Sequence, residues 1–255
     1  MALIDTHLHL DAAEFDGDRE AVIARAGAAG VTRLVLPAVL PANFDAVRDL
    51  ARRLPGSVHA YGIHPLYVGR ASETDIATLE ARLADGDAAA VGEIGLDGYE
   101  AEPDPARQEW FFNEQLRLAK RFDLPVILHV RRAQDRVLKY LRRHGSHRGI
   151  AHAFNGSPQQ ARTFIDQGFK LGFGGAMTFS GSTRIRALAA SLPLESIVLE
   201  SDGPDIRPAW AQDVPNEPAN VARFAQELAA LRGITVEEVA RATTANACEA
   251  LGLAA

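Results

Sequence analysis

The chain has 255 residues, 47% of them hydrophobic and 24% charged, which excludes disorder, collagen and coiled coil and is enough for one barrel-sized core or two small ones. The formal net charge of −6 argues against a protein that coats nucleic acid non-specifically, but not against an enzyme that acts on nucleic acid through bound metal ions. One cysteine, Cys248, excludes an internal disulfide and a thiolate metal cluster, and no apolar run approaches the roughly 20 residues that span a bilayer. Residues 1–7 carry no leader pattern, so a soluble, cytoplasmic monomer with no membrane partner is expected.

Short apolar runs alternate with longer helical patterns throughout. A strand over 2–5 precedes a helix over 19–28, a strand over 33–37 precedes a helix over 43–53, and a strand over 58–63 precedes a helix over 74–83. The next pairs are 88–94 with 105–122, 124–130 with 133–144, and 149–154 with 158–167. Strands over 169–173 and 196–200 precede helices over 183–192 and 218–231, and a last helix covers 236–245. Trp110, Phe111, Gln115, Leu118 and Phe122 share one helical stripe, and Gly30, Gly145, Gly168 and Gly233 stand where helices should stop. Eight strand–helix units predict a (β/α)8 barrel as one domain over 1–255. An open doubly wound sheet usually has a glycine-rich loop after its first strand, whereas this chain has His-Leu-His.

Four histidines (His7, His9, His129 and His152) and three acids (Glu93, Glu200 and Asp202) fall at predicted strand ends. A parallel barrel brings those ends to one face, where active sites form. His7 and His9 are two apart and share a side of the strand, with Asp5 one step further back; alone, such a pair is equally two ordinary polar residues. Taken singly, His129 and His152 suit a core or surface role, and Asp202 a cap or turn. Glu93 interrupts an apolar strand between Gly92 and Gly95, and a buried carboxylate needs a cation or metal partner. Together, four imidazoles and two carboxylates suit Zn, Mn, Co or Ni better than Mg, and six ligands point to two divalent ions.

The segments that carry these residues are Asp5-Thr-His-Leu-His-Leu-Asp11, Gly62-Ile-His-Pro65, Gly92-Glu-Ile-Gly-Leu-Asp97, Leu124-Pro-Val-Ile-Leu-His-Val-Arg131, His152-Ala-Phe-Asn-Gly156 and Leu199-Glu-Ser-Asp202. In this order, and with the helix over 108–119, they resemble the TatD family of metal-dependent hydrolases, among the amidohydrolase-type barrels. The resemblance implies a barrel with one or two divalent ions. It assigns His7, His9 and Asp202 to one ion, His129 and His152 to the other, and Glu93 to both. Departures fall at Ala153-Phe154-Asn155, at Gly203, and at Gly98 before Tyr99, and bear on substrate preference rather than on a ligand.

The expected mechanism has Asp202 accept a proton from the attacking water and return it to the leaving oxygen, with Glu93 as the bridging carboxylate. Arg131 is expected either to bind substrate phosphate or to pair with Glu200 or Asp97. His64, by the resemblance, would bind phosphate or stabilise a leaving group; otherwise it orients a neighbour. Glu200 is expected to orient a ligand imidazole or an arginine, and Asn216 to cap the helix that follows it. Seven basic residues lie between Arg131 and Arg148; Arg131 and Arg132 sit nearest the cleft, while Lys139, Arg142 and Arg143 read as a solvated face. The first functional reading is a phosphodiesterase acting on nucleic acid, in particular a deoxyribonuclease. The alternatives are an ester or amide hydrolase, acting for instance on an aminoacyl-tRNA or a cyclic amide, and a non-catalytic metal-binding module.

Overall fold

The structure is a computed structural model that describes residues 2–100 and 104–254. Among these residues, eight parallel strands pair in sequential order, and helices cover the outside. The strands are β1 (Leu3–Asp5), β2 (Val31–Pro37), β3 (Val58–Tyr61), β4 (Ala90–Asp97), β5 (Val126–Arg131), β6 (Gly149–Ala151), β7 (Phe169–Phe173) and β8 (Ile197–Leu199). The helices are α1 (Arg19–Ala28), α2 (Phe44–Arg53), α3 (Asp75–Ala84), α4 (Pro105–Arg121), α5 (Gln134–His144), α6 (Pro158–Asp166), α7 (Thr183–Ser191), α8 (Val221–Arg232) and α9 (Val236–Leu251). Backbone hydrogen bonds just beyond β1 and β8 bring the first and last strands together. Thr6 N donates to Leu199 O (3.1 Å), Asp202 N to His7 O (2.8 Å) and His9 N to Gly203 O (2.9 Å). The architecture is the expected (β/α)8 barrel, and His7, His9 and Asp202 stand in its closing seam.

Two apolar layers hold it together. Outside the strands, aliphatic and Phe side chains pack between sheet and helices. Inside, Ile4, Val35, Ala60, Ala90, Ile127, Ile150 and Val198 form a narrower core with Ala247, Cys248, Ala250 and Leu251 of α9. The last turns of α9 therefore plug the barrel at the end opposite its functional mouth. Leu251→Ala is expected to destabilise the protein by roughly 2–5 kcal/mol, the range for truncating a buried leucine; a lower denaturant midpoint with an unchanged slope would show it.

Several boundaries differ from the sequence expectation. β4 continues past Ile94 to Asp97 because it pairs with β5 through Gly95↔His129 and Asp97↔Arg131, and every residue in it is buried. Gly95 has φ 151°, and a Cβ there would collide with the His129 carbonyl. β6 ends at Ala151, since Ala153 turns the chain with φ 44°. α9 runs on to Leu251 because its polar residues are satisfied. Thr243 donates to Val239 O (2.9 Å), and Asn246 donates to Leu194 O (2.8 Å) and Ile197 O (2.7 Å). Trp110 leaves the stripe assigned to α4, being 36% exposed, while Phe111, Gln115 and Leu118 of that stripe are buried and so is Gln108. Gln115 accepts from Ile63 N (2.6 Å) and donates to Ile63 O (3.0 Å); Gln108 accepts from Asp97 N (2.8 Å). Both amides thus fasten the ends of strands that carry the functional residues.

Candidate metal centre

Glu93, in the middle of β4, is 1% exposed and meets five imidazoles from four segments. Its Oε2 lies 3.0 Å from His7 Nε2 and 3.5 Å from His9 Nε2. Its Oε1 lies 2.9 Å from His152 Nε2, 3.0 Å from His129 Nδ1 and 3.2 Å from His64 Nε2. Asp202 Oδ1 joins the first group, 3.7 Å from His7 Nε2 and 3.8 Å from His9 Nε2. The rings of His7 and His152 stack 3.9 Å apart across the two groups. Three sets have ligand atoms close enough to hold a metal ion: His7–His9–Asp202, His7–Glu93–His152 and His64–Glu93–His129. The structure therefore gathers all six residues expected as ligands, and His64 with them. His64 lies against Glu93 and His129 and also lines the cavity.

The ring tautomers follow from the hydrogen bonds. His129 Nε2 lies 2.8 Å from Asp97 Oδ2, so its proton sits there and its Nδ1 lone pair faces Glu93 Oε1. Two acceptors 3.0 Å apart require a shared proton or a cation, and this donor chemistry fits a divalent ion. His64 behaves oppositely. Its Nδ1 accepts from Leu66 N (3.1 Å), and burial lowers its pKa to about 4. It is a neutral imidazole with its proton on Nε2, directed at Glu93 and at His129 Nδ1 (3.2 Å). That nitrogen offers a hydrogen bond, not a lone pair, which sets His64 apart from the other four.

Burial pushes the Glu93 carboxyl up, but the electrostatic pull of the imidazoles packed around it, with His64, His152 and His7 foremost, outweighs burial and holds the group below the ordinary glutamate range. Burial raises Asp202 to about 7, against the opposing pull of His152 and His9. For Asp97 burial again acts upward, and hydrogen bonds from His129 and from the backbone of Glu100 and Tyr99 bring it down to about 2. Asp97 is the functional residue that sequence reasoning placed only as a partner for Arg131. In Asp97→Asn the one remaining oxygen is claimed by Tyr99 N and Glu100 N, so an NH₂ group faces His129 Nε2 and the tautomer is no longer fixed; metal affinity and turnover are expected to fall roughly 10–100-fold. Titration of metal content against turnover checks this.

Other carboxylates brace the site. Glu200 accepts from Ala153 N, stands 3.7 Å from His152 Nδ1, and fills space that a Cβ on Gly172 would occupy. It faces an imidazole, as expected, and no arginine among the described residues. Asp5 turns away from the cluster to Ser201, accepting from Ser201 N (2.9 Å) and Ser201 Oγ (2.5 Å); burial raises it to about 7. Asn216 is not a helix cap. It is fully buried and donates to Ser201 O (2.6 Å) and Ile206 O (3.1 Å), which ties down the loop after β8.

The cluster opens into a cavity of about 700 Å³. Arg131 lines it and pairs with Glu100 (3.3 Å), approaching Asp97 at 4.0 Å; Glu200 is not its partner. Asp11, Glu14 and Asp205 also line the cavity, and Arg131 is the one arginine or lysine among the described lining residues. Lys139, Arg142 and Arg143 are exposed along α5, as expected. No helix among the described residues is long and apolar enough to cross a membrane.

Comparison with known proteins gives the family of this barrel. The family model for TatD related DNase matches residues 4–252. The chain is 42% identical over 246 residues to an Escherichia coli K12 protein named uncharacterized metal-dependent hydrolase YjjV, covering 95% of each chain. It is 33% identical over 266 residues to the human protein named deoxyribonuclease TATDN3, covering 97% of this chain and 93% of that one. The crystal structure of E. coli YjjV superposes with a TM-score of 0.95, covering 99% of this chain and 98% of that one, at 40% identity in the structural alignment. A barrel with this strand-end cluster, matched along nearly its whole length, belongs to the TatD family of metal-dependent hydrolases.

Proposed function

We propose that the protein is a divalent-metal-dependent phosphodiesterase, a deoxyribonuclease in its first reading, working through two ions held at the strand ends. The observation that carries this is the division of Glu93, with Oε2 toward His7 and His9 and Oε1 toward His129 and His152. His7, His9 and Asp202 with one carboxylate oxygen would hold one ion, and His129 and His152 with the other oxygen would hold the second. Such ions, Zn, Mn, Co or Ni more readily than Mg, lower the pKa of water and neutralise phosphoryl oxygens when bound.

The chain's own residues supply the rest. Asp202 accepts the proton of the attacking water and passes it to the leaving oxygen. Its side chain is 12% exposed against 1% for Glu93, so it is the carboxylate with access to the cleft. His64 keeps its proton on Nε2 and offers it as a neutral donor to an oxygen of the reacting group. Arg131 provides a fixed positive charge in the cavity. The human relative's name and the family description support DNA as the substrate.

The acidic lining supports a second reading, an ester or amide hydrolase for a less highly charged substrate. Assays of the purified protein with Mn²⁺ or Mg²⁺ on 3′-labelled single-stranded DNA, beside carboxylic ester and amide substrates, separate the two. The first reading expects chelator-sensitive release of nucleotides; cleavage of esters or amides alone would replace it.

A further inference from the structure

Beside Arg131, which lines the cavity, stands a ring that the hydrolytic steps do not use. Tyr99 follows β4 and is 49% exposed. The guanidinium carbon of Arg131 lies 3.8 Å from the centre of its ring, and that of Arg132 lies 4.5 Å away. Consecutive side chains on a strand point to opposite faces, yet these two reach the same ring. Arg132 makes this possible: its φ of 50° lies in the left-handed region, which is uncommon outside glycine and costs conformational energy.

A guanidinium laid on a ring keeps its N–H groups free in its own plane, the geometry that grips phosphate. Arg131 shares its charge with Glu100, in a pair whose side chains are both 47% exposed and which therefore binds weakly in water. Arg132 has no carboxylate within 4.0 Å among the described residues. Two cations held on one ring repel each other, and an anion between or beside them removes that cost. The pair is also offset from the chemistry. Arg131 approaches Asp97 (4.0 Å), which holds His129 Nε2, whereas the opposite nitrogen of that ring faces Glu93.

We propose that Tyr99, Arg131 and Arg132 form a clamp for a backbone phosphate flanking the one that is cleaved, so that the substrate is a polynucleotide and not a small diester. The clamp rests on the phosphodiesterase reading for its place in catalysis, but binding can be measured separately. In an Asp202→Asn background, a fluorescein-labelled decathymidylate should bind roughly 10-fold more weakly after Arg132→Gln or Tyr99→Ala, while Tyr99→Phe should keep affinity. Arg132→Gln should also reduce the slope of log Kd against log salt by about 0.7, the value of one single-strand phosphate contact. With Asp202 intact, the same variants should lower kcat/KM for decathymidylate, relative to methyl 4-nitrophenyl phosphate, by a similar factor. Equal losses on both substrates, an unchanged salt slope, or no binding of the strand by the parent protein would each overturn the clamp. Strand binding that depends on Arg132, without cleavage of either diester, would keep the clamp and overturn the phosphodiesterase reading.

Discussion

Glu93→Gln is expected to release at least one divalent ion and to lower turnover on the order of 10³-fold while leaving the barrel folded. The carboxylate offers one oxygen to each half of the cluster, and each of its oxygens faces at least two imidazole nitrogens. An amide has one acceptor oxygen; its NH₂ would face nitrogens that must present lone pairs to a metal. Losing an ion forfeits several kcal/mol of charge stabilisation in the transition state, and each ~1.4 kcal/mol is a decade of rate. The fold survives because the hydrophobic layers inside and outside the strands do not depend on Glu93, and because a neutral side chain is easier to bury than an unpaired charge. Metal analysis after gel filtration, circular dichroism and turnover on one preparation test all three parts. Full metal content with normal turnover would remove Glu93 from its role.

Asp202→Asn is expected to cost about 10²–10⁴-fold in kcat, the span for a positioned general acid–base. Asparagine matches aspartate in shape and can still accept at one oxygen, but it cannot take up a proton from water near neutral pH. Ions held by His129 and His152 should stay, since Asp202 faces His7 and His9. A kcat equal to that of the parent would assign proton transfer elsewhere, with His64 the next group to test.

The strand-end residues were legible because the barrel converts a sequence regularity into a spatial one. His7, His9, Glu93, His129, His152 and Asp202 each end or interrupt an apolar run, and parallel strands carry such positions to one face. What was not legible depends on register and on non-local hydrogen bonds. Asp97 reads as a loop acid if β4 stops at Ile94; only the pairing of Gly95 with His129 brings it under that imidazole. Asn216 precedes Glu217 and Pro218, a pattern that suggests a helix start, but its amide reaches back to Ser201 and Ile206. The tautomer of His64 depends on the N–H of Leu66, offered by a short 3-10 turn that begins at Pro65. The final turns of α9 were missed because Thr243, Thr244 and Asn246 suggest a frayed end, whereas two of these side chains bond inward and the residues after them plug the barrel.

Anomalous diffraction from crystals of the purified protein, collected on both sides of the Zn and Mn absorption edges, tests the shared carboxylate most directly. Two peaks are predicted, one on each side of the Glu93 carboxylate, with His7, His9 and Asp202 around the first and His129 and His152 around the second. A strand-end cluster without a peak after soaking in either ion, or one ion held by His64 with Glu93 touching nothing else, would contradict the account.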